Sequence, residues 1–205
     1  MPFALSPRFV VAVSAVLLLA GCSRPLPIAA YRAYLADPAN GLTHTREVNG
    51  ATVSCTYHPG ALLLWQELQT APARTAPVRD SLARLYAGKT YCALSFSRNG
   101  SEIENALVTN PAAYQQALTY LNTGLAADSY LATSPRDSVR ALASMYVRQY
   151  GSTGKSTVLL VFNTSKLTPE KGFHLTLLPQ PLGLSRLRFP FAGRDLAALP
   201  ALQYD

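Results

Sequence analysis

Residues 42–57 read LTHTREV-NG-ATVSCTY, two strand-like runs of equal length around Asn49-Gly50. Asn-Gly readily takes the two positive-φ conformations of a type I′ turn, whose twist matches that of the strands it joins. These residues therefore predict an antiparallel hairpin. Period-two patterning recurs along the chain. "TYCALSFS" is a strand that ends in a turn at Arg98-Asn99-Gly100-Ser101, and "STVLLVF" reads as a buried strand. "GFHLTLL" sets Phe173, Leu175 and Leu177 against His174 and Thr176. "SRLRFPF" sets Leu187, Phe189 and Phe191 inward and Arg186 and Arg188 outward.

Helices are fewer and short. Ile28, Tyr31 and Leu35 share one face of a segment closed by Asp37-Pro38. Pro59-Gly60 opens a second helix, with Ala61, Leu64, Trp65 and Leu68 at helical spacing, so Trp65 belongs to the core. "TAPARTAPVRD" reads as a loop from which Asp80 caps a short helix ending at Gly88. Asn110-Pro111 begins another helix, with Tyr114, Ala117, Leu118 and Leu121 on one face and Gly124 past its end. Residues 136–150 fit a strand by the alternation of Val139, Ala141, Ala143, Met145 and Val147, or a helix capped by Asp137. The sum is one α+β domain over residues 28–205, a largely antiparallel β-sheet or sandwich with a few inserted short helices.

The N-terminus carries a different signal. One basic residue, Arg8, precedes the apolar run Phe9 to Ala20, and no acid occurs before Asp37. Twelve helical residues rise about 18 Å, short of the ~30 Å hydrocarbon core, so the pattern is a signal peptide rather than a span. Leu19-Ala20-Gly21-Cys22 resembles the lipobox of bacterial lipoproteins. That resemblance implies removal of residues 1–21, diacylation of the Cys22 thiol, and acylation of the new amine. Residues 22–27 then form the lipidated Cys and its tether. The family's sorting rules, with Ser23 rather than Asp after the Cys and no acidic run, imply the outer membrane, lipid-anchored and facing the periplasm. "YLADPANGLTHTREVNGATVSCTYHP", "YCALSFSRNGSEI" and "YGSTGKSTVLLVFN" resemble stretches of small lipoproteins of Bacteroidota, a group that brings no activity or active site with it.

With Cys22 lipidated, Cys55 and Cys92 remain, both in strand-like stretches. In an exported chain they form either a disulfide, worth roughly 3–4 kcal/mol, or two free thiols buried as small hydrophobes. Asp80-Ser81-Leu82 and Asp137-Ser138-Val139 match the Asp-Ser-aliphatic sites that the Bacteroidota resemblance implies for O-glycosylation at Ser81 and Ser138.

Several chemistries are disfavoured. Gly151-Ser152-Thr153-Gly154-Lys155-Ser156-Thr157 mimics the tail of a P-loop, but Gln149 stands where the first Gly belongs and a strand follows where a helix is needed, so no nucleotide is expected. His44, His58 and His174 lack metal-ligand spacing. No Gly-x-Ser-x-Gly elbow occurs, and Cys92 with His174 makes a poor nucleophilic pair because Cys92 sits among core residues. Glu102 and Glu104 read as a solvated hairpin edge. The formal charge is +7, but Arg32, Arg46, Arg74, Arg84, Arg140 and Arg186 are scattered, without the basic and aromatic interleaving of a nucleic-acid groove. No catalytic residue, cofactor or metal is expected. The leading expectation is a non-enzymatic binding or scaffolding domain, tied to the membrane by its lipid, whose partner is an envelope protein or an anionic glycan or lipid. The alternatives are an envelope enzyme of unfamiliar type acting on glycan or lipid, and an accessory subunit of an envelope complex. A concave pocket of convergent polar groups would favour an enzyme, and a flat apolar patch a partner-binding surface.

Overall fold

A computed structural model describes residues 24–71 and 75–204; Cys22 and the apolar segment before it lie outside them. The predicted hairpin is present as β1 (Thr43–Val48) and β2 (Ala51–His58), with Asn49 and Gly50 at φ 48° and 71°. β3 (Lys89–Arg98) pairs with β2 and turns at Asn99-Gly100 into the two-residue β4 (Ser101–Glu102). Then follow β5 (Ser129–Ala132), β6 (Ser138–Arg140), β7 (Ala143–Val147), β8 (Ser156–Asn163), β9 (Gly172–Leu177) and β10 (Leu187–Ala192). Two antiparallel sheets result, one in the order β1-β2-β3-β8-β7 with β4 on β3, the other β10-β9-β5-β6. The α+β class is as the sequence predicts.

The two sheets share one core. Val53, Cys55, Leu94, Phe96, Val158 and Leu160 from the larger sheet join Leu131, Phe173, Leu175, Phe189 and Phe191 from the smaller. Each such side chain contributes about 1.5–3 kcal/mol on leaving water. One continuous segment links the sheets at a corner. The Ala141 N–H donates to Ser129 O in the small sheet, and the next residue, Leu142, donates to Val161 O in the large one. That switch decides residues 136–150. They are strands, not a helix, and Asp137 accepts a hydrogen bond from Ser134 in the β5–β6 turn instead of capping anything. It also changes which side faces in. Tyr146 and Ser144 oppose the core-facing Val158 and Leu160, while Ala143, Met145 and Val147 face outward.

The helices pack around this frame. α1 (Ile28–Ala36) and α2 (Gly60–Thr70) build a smaller core of Tyr31, Leu35, Leu42, Leu62 and Leu202, which Tyr57 and Leu196 join to the main one. Trp65 is half-buried at its edge, with the Arg32 guanidinium 5.7 Å from its ring. α3 (Ala76–Tyr86) starts inside the segment expected to be a loop, because Pro77 presets the helical φ of its first turn; Asp80 therefore lies within the helix rather than capping it. α4 (Pro111–Thr119) is capped as predicted, the Asn110 side chain accepting from Ala113 N–H at 3.2 Å. It does not stop at Gly124. A π-turn over Tyr120–Gly124 carries it into α5 (Leu125–Ala127), and a Cβ on Gly124 would come 2.5 Å from the Tyr120 ring. This glycine serves close packing, not termination. α6 (Gly193–Ala197) follows β10.

Candidate functional site

The outer face of the small sheet carries the polar chemistry. Because Leu187, Phe189 and Phe191 point into the core, Arg188 must point out, and Arg186 continues that side ahead of the strand. On β9 the same alternation turns His174 and Thr176 outward. Register then aligns them: Arg188 lies opposite Thr176, Thr176 opposite Tyr130, and Tyr130 opposite Arg140. His174 lies between Pro190 and Ala132. The β5–β6 turn adds Thr133 and Ser134, closing a cleft of about 430 Å³ over His174, Thr176, Arg186 and Arg188.

The cleft is cationic. Among the described residues the ion pairs are Arg79–Asp80 and Arg194–Asp195, so neither Arg186 nor Arg188 is neutralised by a carboxylate. Burial, and then the Arg188 charge, lower the His174 pKa below its ordinary value, leaving the imidazole neutral at pH 7. Its Nδ1 is buried without a hydrogen-bond partner. Arg140 is held at the far end of the row, 5.2 Å from the Tyr130 ring and donating to its hydroxyl at 2.8 Å. Two guanidinium forks flanked by hydroxyls can hold a phosphate, carboxylate or sulfate by charge-assisted hydrogen bonds.

A second polar cluster is internal. Glu102 and Glu104, expected at a solvated edge, are 2 % and 0 % exposed. Tyr146 and Ser156 hydroxyls donate to the two oxygens of Glu104, and Gly151 N–H donates to Glu102 at 2.7 Å. Burial, followed by the hydrogen bond to Glu104, pushes the Tyr146 phenol above its ordinary pKa. The P-loop look-alike is thus a β7–β8 turn whose groups satisfy buried carboxylates. It is pinned further by the Ser97 hydroxyl, which donates to Gly154 O at 2.9 Å.

The remaining sequence-predicted residues stay apart. Cys55 and Cys92 are both fully buried, unpaired, and far from solvent chemistry in the core. Cys92 and His174 lie on different sheets. Ser81 is exposed on α3 and Ser138 is exposed on β6. Cys22 lies outside the described residues. Among those residues no group of three or more His, Cys, Asp or Glu could hold a metal ion, and no helix is long and apolar enough to cross a membrane. A separate apolar groove of about 320 Å³ runs between α2 and α3, with Tyr86 and Tyr204 on its walls. The arginines of the cleft looked scattered in the sequence. The alternation of "SRLRF" already placed two of them on one side; only the β9–β10 pairing brought in His174 and Thr176.

Fold and cleft together describe a two-sheet α+β domain with a basic recess on its smaller sheet. The chain matches no protein-family model, no curated protein and no solved structure.

Proposed function

We propose that this chain is a lipid-anchored cell-envelope protein of the outer membrane, facing the periplasm, whose domain binds an anionic glycan and is not an enzyme. The Leu19–Cys22 motif carries the anchor and the cleft carries the ligand: Arg186 and Arg188, free of carboxylate partners among the described residues, converge with Thr176, Thr133 and Ser134 in one recess. Its only titratable group near neutrality is His174, with no carboxylate among the residues lining the recess to act as its partner in acid–base work. Such a set holds charge better than it moves protons.

The test is retention on polygalacturonate, with dextran as the neutral control and glycerol phosphate as the soluble competitor representing a lipid headgroup. The wild-type chain is expected to bind polygalacturonate, to release it with rising salt, and to ignore dextran. Arg186→Glu with Arg188→Glu should weaken retention at least about tenfold, or ~1.4 kcal/mol. Unchanged retention by that variant refutes the cleft, and preferential displacement by glycerol phosphate assigns it to lipid headgroups instead.

A further inference from the structure

The larger sheet carries a different surface. Leu142, Met145, Val147 and Tyr150 are 64 %, 57 %, 56 % and 79 % exposed, four large apolar or aromatic side chains within nine residues. Ala143, Met145 and Val147 project from edge strand β7 to the outside, and register sets Val161, Leu159 and Thr157 of β8 directly beside them. The chain's change of sheets at Ala141–Leu142 turns Ala143, Met145 and Val147 away from the core.

Cations rim it. Lys155 precedes Thr157 by two residues at the start of β8, and Lys166 lines a recess together with Leu142. Neither lysine is in an ion pair among the described residues. Glu102 and Glu104, the nearby acids, are buried and engaged with Tyr146, Ser156 and Gly151. Exposed aliphatic and aromatic groups bordered by long cationic side chains suit a bilayer interface: the apolar tips enter the headgroup boundary and the cations meet anionic headgroups. A second copy of this chain fits less well. Pairing two such patches would bring Lys155 and Lys166 of both copies toward one another, like charge against like charge.

We propose that the outward face of β7 and β8 is a membrane-contacting surface that seats on a bilayer carrying anionic lipid. It lies on the opposite sheet from the cationic cleft, with the core between them. A domain seated this way leaves the cleft open for a ligand that is not part of the same bilayer. The proposal rests neither on the cleft's ligand nor on lipidation of Cys22.

Met145 supplies the probe, because the chain's other methionine is Met1. Its oxidation by dilute hydrogen peroxide is followed by peptide mass spectrometry in the full chain. Vesicles of phosphatidylglycerol and phosphatidylethanolamine are compared with vesicles of phosphatidylcholine. The expected result is slower sulfoxide formation at Met145 on the anionic vesicles only. Lys155→Glu with Lys166→Glu, both at exposed positions, should remove most of that protection, roughly fivefold in membrane occupancy for each cation lost. Equal rates on both vesicles overturn the proposal, whether Met145 is equally open or equally shielded. Protection that grows with protein concentration in the absence of lipid also overturns it, in favour of a second copy.

Discussion

His58 closes β2 opposite Tyr91, where burial first and the Arg32 charge second lower its pKa to about 4. An unfolded histidine titrates near 6.5, so between these two values the unfolded chain binds the extra proton and the folded chain does not. Stability is therefore full above about pH 6.5, falls as pH drops toward 4, and levels off below, a loss on the order of 3 kcal/mol from this residue. His44 and His174 are lowered as well and act in the same direction. Denaturant unfolding at pH values across this window should show the decline, and His58→Gln should remove the largest single part of it. A slope unchanged in that variant would place the pH sensitivity elsewhere. Nothing in the residues around His58 announces this. Arg32 reaches it from α1, some twenty-six positions earlier in the chain.

Among the elements, strands were more legible than helix ends. A strand's alternation is a property of consecutive residues, so β9 and β10 face as read, with Phe173 and Phe191 stacked at 4.7 Å inside. A helix boundary depends on which competing cap wins in context, and so Asp80 lies inside α3 and Gly124 inside a continuing helical turn rather than at an end. The pair Cys55 and Cys92 belongs at this scale too. Cys55 lies opposite Leu94 and Cys92 opposite Tyr57, which makes the cysteines diagonal neighbours on one face. Diagonal neighbours stand about 7–8 Å apart, beyond the usual 4.4–6.8 Å Cα separation of a disulfide. Burial, and then the hydrogen bond to Cys92, also push the Cys55 thiol well above its ordinary pKa, away from the reactive thiolate. Both thiols should therefore remain reduced and unreactive to maleimide in the native chain, and both should label once it is unfolded. A chain that yields no free Cys55 or Cys92 thiol after unfolding without reductant would show a bridge and a shifted β2–β3 pairing.

At the scale of the whole molecule, the address and the surfaces are separate matters. The anchor is a reading of residues 19–22, and its test is direct. Cys22→Ser should abolish acyl modification in the intact mass and move the protein out of the membrane fraction at high salt, where headgroup attraction is screened. Persistence of membrane partitioning without any loss of acyl mass refutes the lipoprotein reading. The sequence alone determined the hairpin turns, the faces of β9 and β10 and the α+β class, because turn chemistry and period-two patterning act between near neighbours. It also carries the whole case for the lipid anchor, a short contiguous motif. Tertiary structure alone decided the rest. Pairing of β9 with β10 and β5 gathered Arg186, Arg188 and His174 into one cleft. The sheet switch at Ala141–Leu142 turned Met145 and Val147 outward, and the β7–β8 turn buried Glu102 and Glu104. Each depends on residues tens of positions apart meeting across strands, and no local pattern encodes which strands become neighbours.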